Sequence, residues 1–317
     1  MCLNTKMNQK NNKPLVSVIL PVYNAQDYVA EAIESILGQT YQNFELIIVD
    51  DASQDNSWKI IADLRNKHPQ KITAIRLREN RNKGGDEAGN VAFRHAKGEF
   101  IARMDADDIA ESNRLAKQVE FLLKNPQIAI VGSSAKVINV NGDEVGSKLA
   151  LQKHQEIYQQ YFSFHPMIHP TLVIRRSMLL DAKNLYLIKF NSNNDYLTFF
   201  TMISSGLKFA NLPDQLLKYR IHGQNDSLSQ VKRTFANTLK IRLKMLKEQG
   251  YRPTLAAWIK CLAQMILVYL MPELLIFNLY LLVRGIYTPT QVFQKLIVEI
   301  IKGLNVTNKK QLLVRNY

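Results

Sequence analysis

Cysteine is almost missing from this chain: Cys2 and Cys261 are the only two in 317 residues, and they stand at opposite ends. That excludes a disulfide framework and a cysteine-rich metal site, and makes a reducing cytoplasm the expected setting. Low-complexity tracts and repeats are missing as well. With 46% apolar and 21% charged residues the composition is that of an ordinary globular chain, long enough for one large domain or two modest ones. The opening "MCLNTKMNQKNNK" lacks the apolar centre of a signal peptide, so nothing argues for secretion. Acids are scarce in one region only. Residues 231–317 hold 14 Lys and Arg against Glu248, Glu273 and Glu299, a surplus of eleven, whereas residues 1–230 carry a surplus of three. A nucleic-acid binder spreads base over its recognition surface and interleaves stacking aromatics, so base confined to one tail speaks against nucleic acid as a partner.

What is present is a succession of buried-strand and amphipathic-helix patterns. "LVSVIL" (15–20) reads as a strand. In the segment that follows, Asn24 is placed to cap a helix whose apolar face is Val29, Ala32, Ile33, Ile36 and Leu37. "FELIIVDD", "KITAIRLREN" and "FIARM" read as three further strands, with a helix after the first of these and another from about Ser112 to Lys124, stopped by Pro126. This alternation implies βαβ units, a mostly parallel sheet flanked by helices, and ligands beyond the carboxyl ends of the strands.

Acids gather at those ends. Asp50 and Asp51 close the second strand, and Asp105, Asp107 and Asp108 follow the fourth. Asp105 and Asp107, two positions apart, point to one side and suit a hard divalent cation, Mn²⁺ or Mg²⁺, that bridges a diphosphate. Read alone, the pair is equally an acidic turn at a helix start. Its place after a buried strand, facing a second acidic strand end, favours the metal. Asp50 and Asp51 can accept from a nucleobase N–H or ribose hydroxyls, or belong to a turn closed by Ser53. "ENRNKGGDEAGN" (79–90) fits neither phosphate-loop signature; it reads as a loop closing over a ligand or as a plain connection.

Taken together, "VSVILPVYNAQDYVAEAIESILGQTYQNFELIIVDDASQDNS", "AKGEFIARMDADD" and "NNDYLTFF…LPDQLLKYRIHGQNDS" resemble the inverting family-2 glycosyltransferases of GT-A fold, over about residues 15–228. The resemblance implies an α/β, Rossmann-like catalytic domain that moves a sugar from a nucleotide diphosphate, most often UDP, to an acceptor hydroxyl. It implies Pro21, Tyr23, Asn24, Asp50 and Asp51 around the nucleoside, with Asn82 and Gly84 of the glycine-rich loop also on the donor. Asp105 would reach metal or ribose, Asp107 the metal, and His222 of "YRIHG" the diphosphate or metal shell. Asp195 matches the general base, although the residue before it, commonly acidic in the family, is Asn194 here. "HPTLVIRRSML" resembles an acceptor-side strand, where His169 meets substrate or serves packing and Arg175 and Arg176 face phosphate or solvent. The acceptor implied is a glycan or a lipid-linked oligosaccharide of cell-surface synthesis. A nucleotidyltransferase or a catalytically silent nucleotide-binding scaffold would share the acids, but "KYRIHG" argues against the former and an intact Asp51, Asp105, Asp107 and Asp195 against the latter.

The chain accordingly divides into a flexible 1–14, a catalytic domain 15–228 and a basic, apolar helical region 229–317. Within the last, "CLAQMILVYLMPELLIFNLYLLV" (261–283) is long enough to span a bilayer. Glu273 at its middle would cost about 2.5–3.5 kcal/mol there. Two helices bent at Pro272 and lying in the interface, drawn by flanking lysines and arginines to anionic lipid, avoid that cost; packing on the catalytic domain is the other outcome. The expected location is cytoplasmic, at the inner face of the membrane.

Overall fold

The structure, a computed structural model, describes residues 13–81, 85–222 and 231–271, together with Leu282 and Thr290. The expected strands form: β1 (Val16–Val22), β2 (Phe44–Asp50), β3 (Ile72–Arg76) and β4 (Phe100–Arg103). β1 is buried at every position, as its apolar run, interrupted only by Ser17, requires in a sheet covered on both faces. Helices α1 (Val29–Leu37) and α2 (Ser57–Lys67) connect the first three strands, and α4 (Arg114–Lys124) starts two residues beyond the expected Ser112.

Among the described residues one sheet holds all nine strands, in the order β3-β2-β1-β4-β8-β6-β9-β5, with β7 (Glu144–Lys148) pairing β6. The four strands read from the sequence are parallel to one another. Beyond β4 the sheet is mixed. β8 (Val173–Arg175) runs antiparallel to both β4 and β6 (Ile128–Ile138), while β6 and the long β9 (Lys208–Arg220) are parallel. The two-residue β5 (Ile109–Ala110) lies antiparallel to β9 and brings Asp107 and Asp108 beside Arg220.

The segment read as a loop is in part a helix, α3 (Asp86–His95), which packs on β1 and β2. Its Gly89 and Asn90 are poor helix formers, which is why the pattern reads as loop. Tertiary contacts override that preference. A Cβ on Gly89 would lie 2.8 Å from the Tyr186 ring, so only glycine admits the ring. The Asn90 side chain both donates to the Tyr186 carbonyl (2.9 Å) and accepts its N–H (2.8 Å). A tighter approach occurs at Gly132 on β6, where a Cβ would stand 2.2 Å from Asn211 Oδ1 and 3.1 Å from Thr171 Oγ1. Gly132→Ala is therefore expected to destabilise the fold by about 1–3 kcal/mol, as overpacking does; an unchanged urea midpoint would show that β9 yields at that point.

α5 (His154–Gln160) and α6 (Asn194–Ser204) cover one face of the sheet with α3. Two later helices, α7 (Val231–Glu248) and α8 (Leu255–Leu270), share that core through Ile241, Met245, Ala257 and Cys261. Arg242 of α7 is buried and donates to the Ser163 carbonyl (2.7 Å) and Gln264 Oε1 (2.9 Å), and Gln264 also donates to Ser163 (2.8 Å). The beginning of the apolar run 261–283 thus packs on the α/β body along Cys261, Gln264 and Val268, while Leu262, Ile266, Tyr269 and Leu270 of α8 remain exposed. Among the described residues no helix is long and apolar enough to cross a membrane. Residues 1–12, 272–281 and 283 lie outside the described residues.

Candidate active site

The carboxyl ends of β1, β2 and β4 lie side by side, with Val22 opposite Asp50 and Ile19 opposite Arg103. At the end of β2, Asp51 is buried. Its N–H donates to the Val22 carbonyl (2.8 Å), and its Oδ1 accepts the Arg81 N–H (3.0 Å). Burial raises its carboxyl above the usual range, opposed by the Arg81 N–H. Asp50 is fully buried, ion-paired with Arg76 at 3.2 Å, and raised for the same reason. Asn24 does not cap α1. It adopts a left-handed backbone (φ 48°) and links strand ends instead, its N–H donating to Ser53 Oγ (3.0 Å) and its Oδ1 accepting the Gln54 N–H (2.8 Å). The helix begins five residues later, after Tyr28. Tyr23, the residue after β1, stands out to solvent at 47% exposure. Pro21 is buried and lies against Gly85, which opens α3 at φ 80°. Asn82 and Gly84 lie outside the described residues.

The acids after β4 take different partners. Asp105 pairs with the buried Arg103 guanidinium at 2.7 Å. Asp107 meets His222 Nε2 at 2.9 Å, and that imidazole stacks on Tyr28. Asp108 is buried and accepts the Arg220 N–H (2.9 Å). Arg220 also donates to the Asp107 carbonyl (2.8 Å) and to Glu31 (2.6 Å), pinning the turn to α1. The repulsion built into "DADD" is relieved at Asp105 by Arg103, whereas burial first, and then Asp107 and Asp105, raise the Asp108 carboxyl well above the usual range. Of the three acids, Asp107 is the one set against a second metal-ligand type, an imidazole. Adjacent ligands of an octahedral ion at ~2.1 Å lie ~3 Å apart, so the 2.9 Å between Asp107 Oδ2 and His222 Nε2 fits two such ligands. Mg²⁺ and Mn²⁺ sites leave the remaining positions to waters and substrate phosphates; among the described residues no group of three or more His, Cys, Asp or Glu is placed to hold a metal.

On the other side of Arg103 sits Asp195, in the first turn of α6. Its N–H donates to Oδ2 of Asp86 (3.2 Å), and its own Oδ2 lies 3.6 Å from His165 Nε2 and 3.8 Å from His169 Nδ1. Asn194, where the family pattern has an acid, is buried and accepts the Lys189 and Phe190 N–H groups (2.9 Å each), a role a carboxylate would have to be buried to fill. His169 is neutral: burial first, then Arg103, lowers it to about 3, and its Nε2 bonds the Tyr186 hydroxyl at 2.8 Å. Arg175 and Arg176 are half-buried and bound to the protein itself. They donate to the Leu122 and Ala96 carbonyls at helix ends and lie over Phe100 and Phe93.

Sequence reasoning did not find Asp86, Arg103 or His165. Arg103 was the easiest signal to see, a charged residue inside an otherwise apolar strand. Asp86 is buried, and burial together with the nearby Asp195 charge raises its carboxyl well above the usual range. A raised acid contributes stability that is present at low pH and lost as pH climbs through its folded value. Asp86→Asn, which cannot ionise, should therefore match the wild type near pH 4 and exceed it increasingly towards pH 8, by up to about 1.4 kcal/mol per pH unit. Urea midpoints across that range would test it; parallel curves would mean Asp86 ionises freely.

A family model described as Glycosyl transferase family 2 matches residues 17–182. An uncharacterized glycosyltransferase of Methanocaldococcus jannaschii is 34% identical over 70% of this chain and 76% of its own length. The O-antigen biosynthesis glycosyltransferase WbnJ of Escherichia coli is 31% identical over 68% and 83%. Among solved structures, S. aureus TarS 1-349 in complex with UDP superposes with TM-score 0.54 at 21% identity, over 80% of each chain. The mannosyltransferase PcManGT of Pyrobaculum calidifontis, in complex with GDP-Man and Mn²⁺, gives 0.55 at 19% identity, over 93% of this chain and 88% of that one. These likenesses establish the GT-A fold.

Proposed function

The chain belongs to glycosyl transferase family 2, and we propose that it transfers a sugar, with inversion, from a UDP-sugar to a hydroxyl of a lipid-linked or glycan acceptor in cell-surface polysaccharide synthesis. The observation that carries the reading is a division of labour among acids: a buried Asp51, a metal-fitting Asp107–His222 pair, and a third carboxylate, Asp195, beside Arg103 and two histidines. Asp51 and the exposed Tyr23 are suited to a nucleobase, Asp105 to a ribose or sugar hydroxyl, since Arg103 holds it in place. Asp107 and His222 would hold Mn²⁺ or Mg²⁺, which when bound neutralises the diphosphate as leaving group.

Inversion is one in-line displacement. Asp195 accepts the proton of the acceptor hydroxyl. The acceptor oxygen bonds to the anomeric carbon as the bond from that carbon to the phosphate oxygen breaks, its electron pair leaving with the nucleoside diphosphate. Most of what the protein supplies is positioning and charge compensation.

Attachment to the anionic inner face of a membrane belongs to the same reading. α7 carries Lys232, Arg233, Lys240, Lys244 and Lys247, and α8 beside it presents Leu255, Ile259, Leu262, Ile266 and Leu270 to the outside. Basic and exposed apolar residues together are what peripheral binding needs.

The testing experiment is binding and slow hydrolysis of UDP-, GDP- and dTDP-sugars by the purified chain, with and without Mn²⁺. One UDP-sugar bound and turned over with metal is the expected result. Absence of binding to every donor would leave a scaffold without transfer chemistry.

A further inference from the structure

The least expected feature near Asp195 is the pair of imidazoles on one of its oxygens. Both come from the stretch between α5 and β8, and both approach Oδ2, at 3.6 Å for His165 Nε2 and 3.8 Å for His169 Nδ1. They differ in how their protons are assigned. His169 shares its Nε2 with the Tyr186 hydroxyl, so either tautomer is compatible with that bond. His165 is constrained: the Met167 N–H donates to its Nδ1 at 3.3 Å. A neutral imidazole that accepts at Nδ1 carries its proton on Nε2, and Nε2 is the atom facing Asp195. The ring is wedged between Tyr161, Tyr196 and Phe199, with centroids 5.6, 5.6 and 6.0 Å away, so it has little room to turn.

We propose that His165 is the positioning residue of the acceptor-side acid: its Nε2–H orients Oδ2 of Asp195 and leaves Oδ1 as the oxygen that takes the acceptor's proton. This rests on the glycosyl-transfer reading for the identity of that proton, but the His165–Asp195 coupling itself does not. The second fixed point of the carboxylate's residue is its own N–H on Asp86 Oδ2, so its backbone is held as well. At 3.6 Å the two atoms stand just beyond hydrogen-bond distance, and catalytic hydrogen bonds of this length commonly shorten in the substrate complex. His165 touches no reacting atom in this scheme; it sets where the base stands and how strongly its charged form is favoured.

The charged and titratable groups facing Asp195 are Asp86 from α3, Arg103 from β4, Tyr161 from the end of α5, His165 and His169 from the following turn, and Tyr186 from the loop before α6. Arg103 and an N–H from His165 both favour the carboxylate, whereas Asp86, when ionised, opposes it. Removing the His165 donor therefore raises the pH at which Asp195 becomes a base, and the acid limb of the rate profile moves upward.

Two measurements on the full chain decide the matter. In ¹⁵N-histidine NMR, the His165 resonances, identified by their loss in His165→Gln, are expected to report the Nε2–H tautomer and to titrate at lower pH in Asp195→Asn. In donor turnover, His165→Leu is expected to lower kcat about tenfold and move the acid limb up by about half a pH unit or more, with donor KM unchanged. His165→Gln, whose amide can place an N–H close to the lost Nε2–H, should restore most of both. A purely structural His165 would lower stability without moving the limb, and would not distinguish Gln from Leu. An Nδ1–H tautomer, or His165 signals indifferent to Asp195→Asn, overturns the proposal. If the wild type turns over no donor, the transfer reading fails, and the NMR response still decides whether His165 orients Asp195.

Discussion

Asp195→Asn is expected to reduce sugar transfer by about 10²–10⁴-fold, the range a positioned general base contributes, with donor affinity and fold unchanged. The substitution is nearly isosteric, and the backbone N–H that bonds Asp86 is retained. At 25% exposure the carboxylate is within reach of solvent. Proton acceptance is lost, together with the negative charge that faces Asp86, Arg103 and the two histidines. Single-turnover rates at saturating donor separate this from a binding defect, because a base that acts in the transition state changes kcat and leaves donor dissociation alone. The residual activity of the variant should also lose the acid limb that the wild type shows. A variant that transfers at a wild-type rate would remove Asp195 from the chemistry and return Asp86, its buried neighbour, as the acid to examine.

Asp107→Ala is expected to abolish the response of donor binding to Mn²⁺ and to lower kcat/KM by at least about 10²-fold, since a metal on the leaving diphosphate is worth several kcal/mol. The fold should tolerate it. The Asp107 side chain is 25% exposed, and the link that pins this turn, Arg220 Nε to the Asp107 carbonyl at 2.8 Å, uses backbone that alanine keeps. His222 loses its carboxylate partner but retains its stack on Tyr28. Calorimetric titration of the donor, with Mn²⁺ and with chelator, is the direct measurement. Equal Mn²⁺ stimulation in variant and wild type would mean that the ion sits elsewhere. Asp105→Ala makes the contrast: it frees the buried Arg103, so a loss of stability as well as of donor affinity is expected there.

Much of the fold was legible because β-branched runs and 3.6-residue periodicity are local properties. β1 to β4, α1, α2 and α4 were read within a few residues of where they lie. α3 was missed for a physical reason: Gly89 and Asn90 weaken it locally, and it is held by Tyr186, almost a hundred residues away in the chain. The same distinction governs the site. Asp50, Asp51, Asp105 and Asp107 announced themselves by following apolar strands. Nothing local says that Asp86 meets Asp195 across 109 positions, or Asp107 His222 across 115.

The sequence by itself determined that this chain would build a sheet with acids at one edge, because strand formation and the exit of polar residues at strand ends follow from short-range pattern and burial. Tertiary structure alone decided what each acid does. Three carboxylates within four positions have nearly the same intrinsic affinity for protons and metals; they differ here because Asp105 is set on Arg103, Asp107 on His222 and Asp108 on the Arg220 backbone. A carboxylate's role depends on which charges and donors stand within a few ångströms and how much water is excluded, and those distances exist only once the chain has folded.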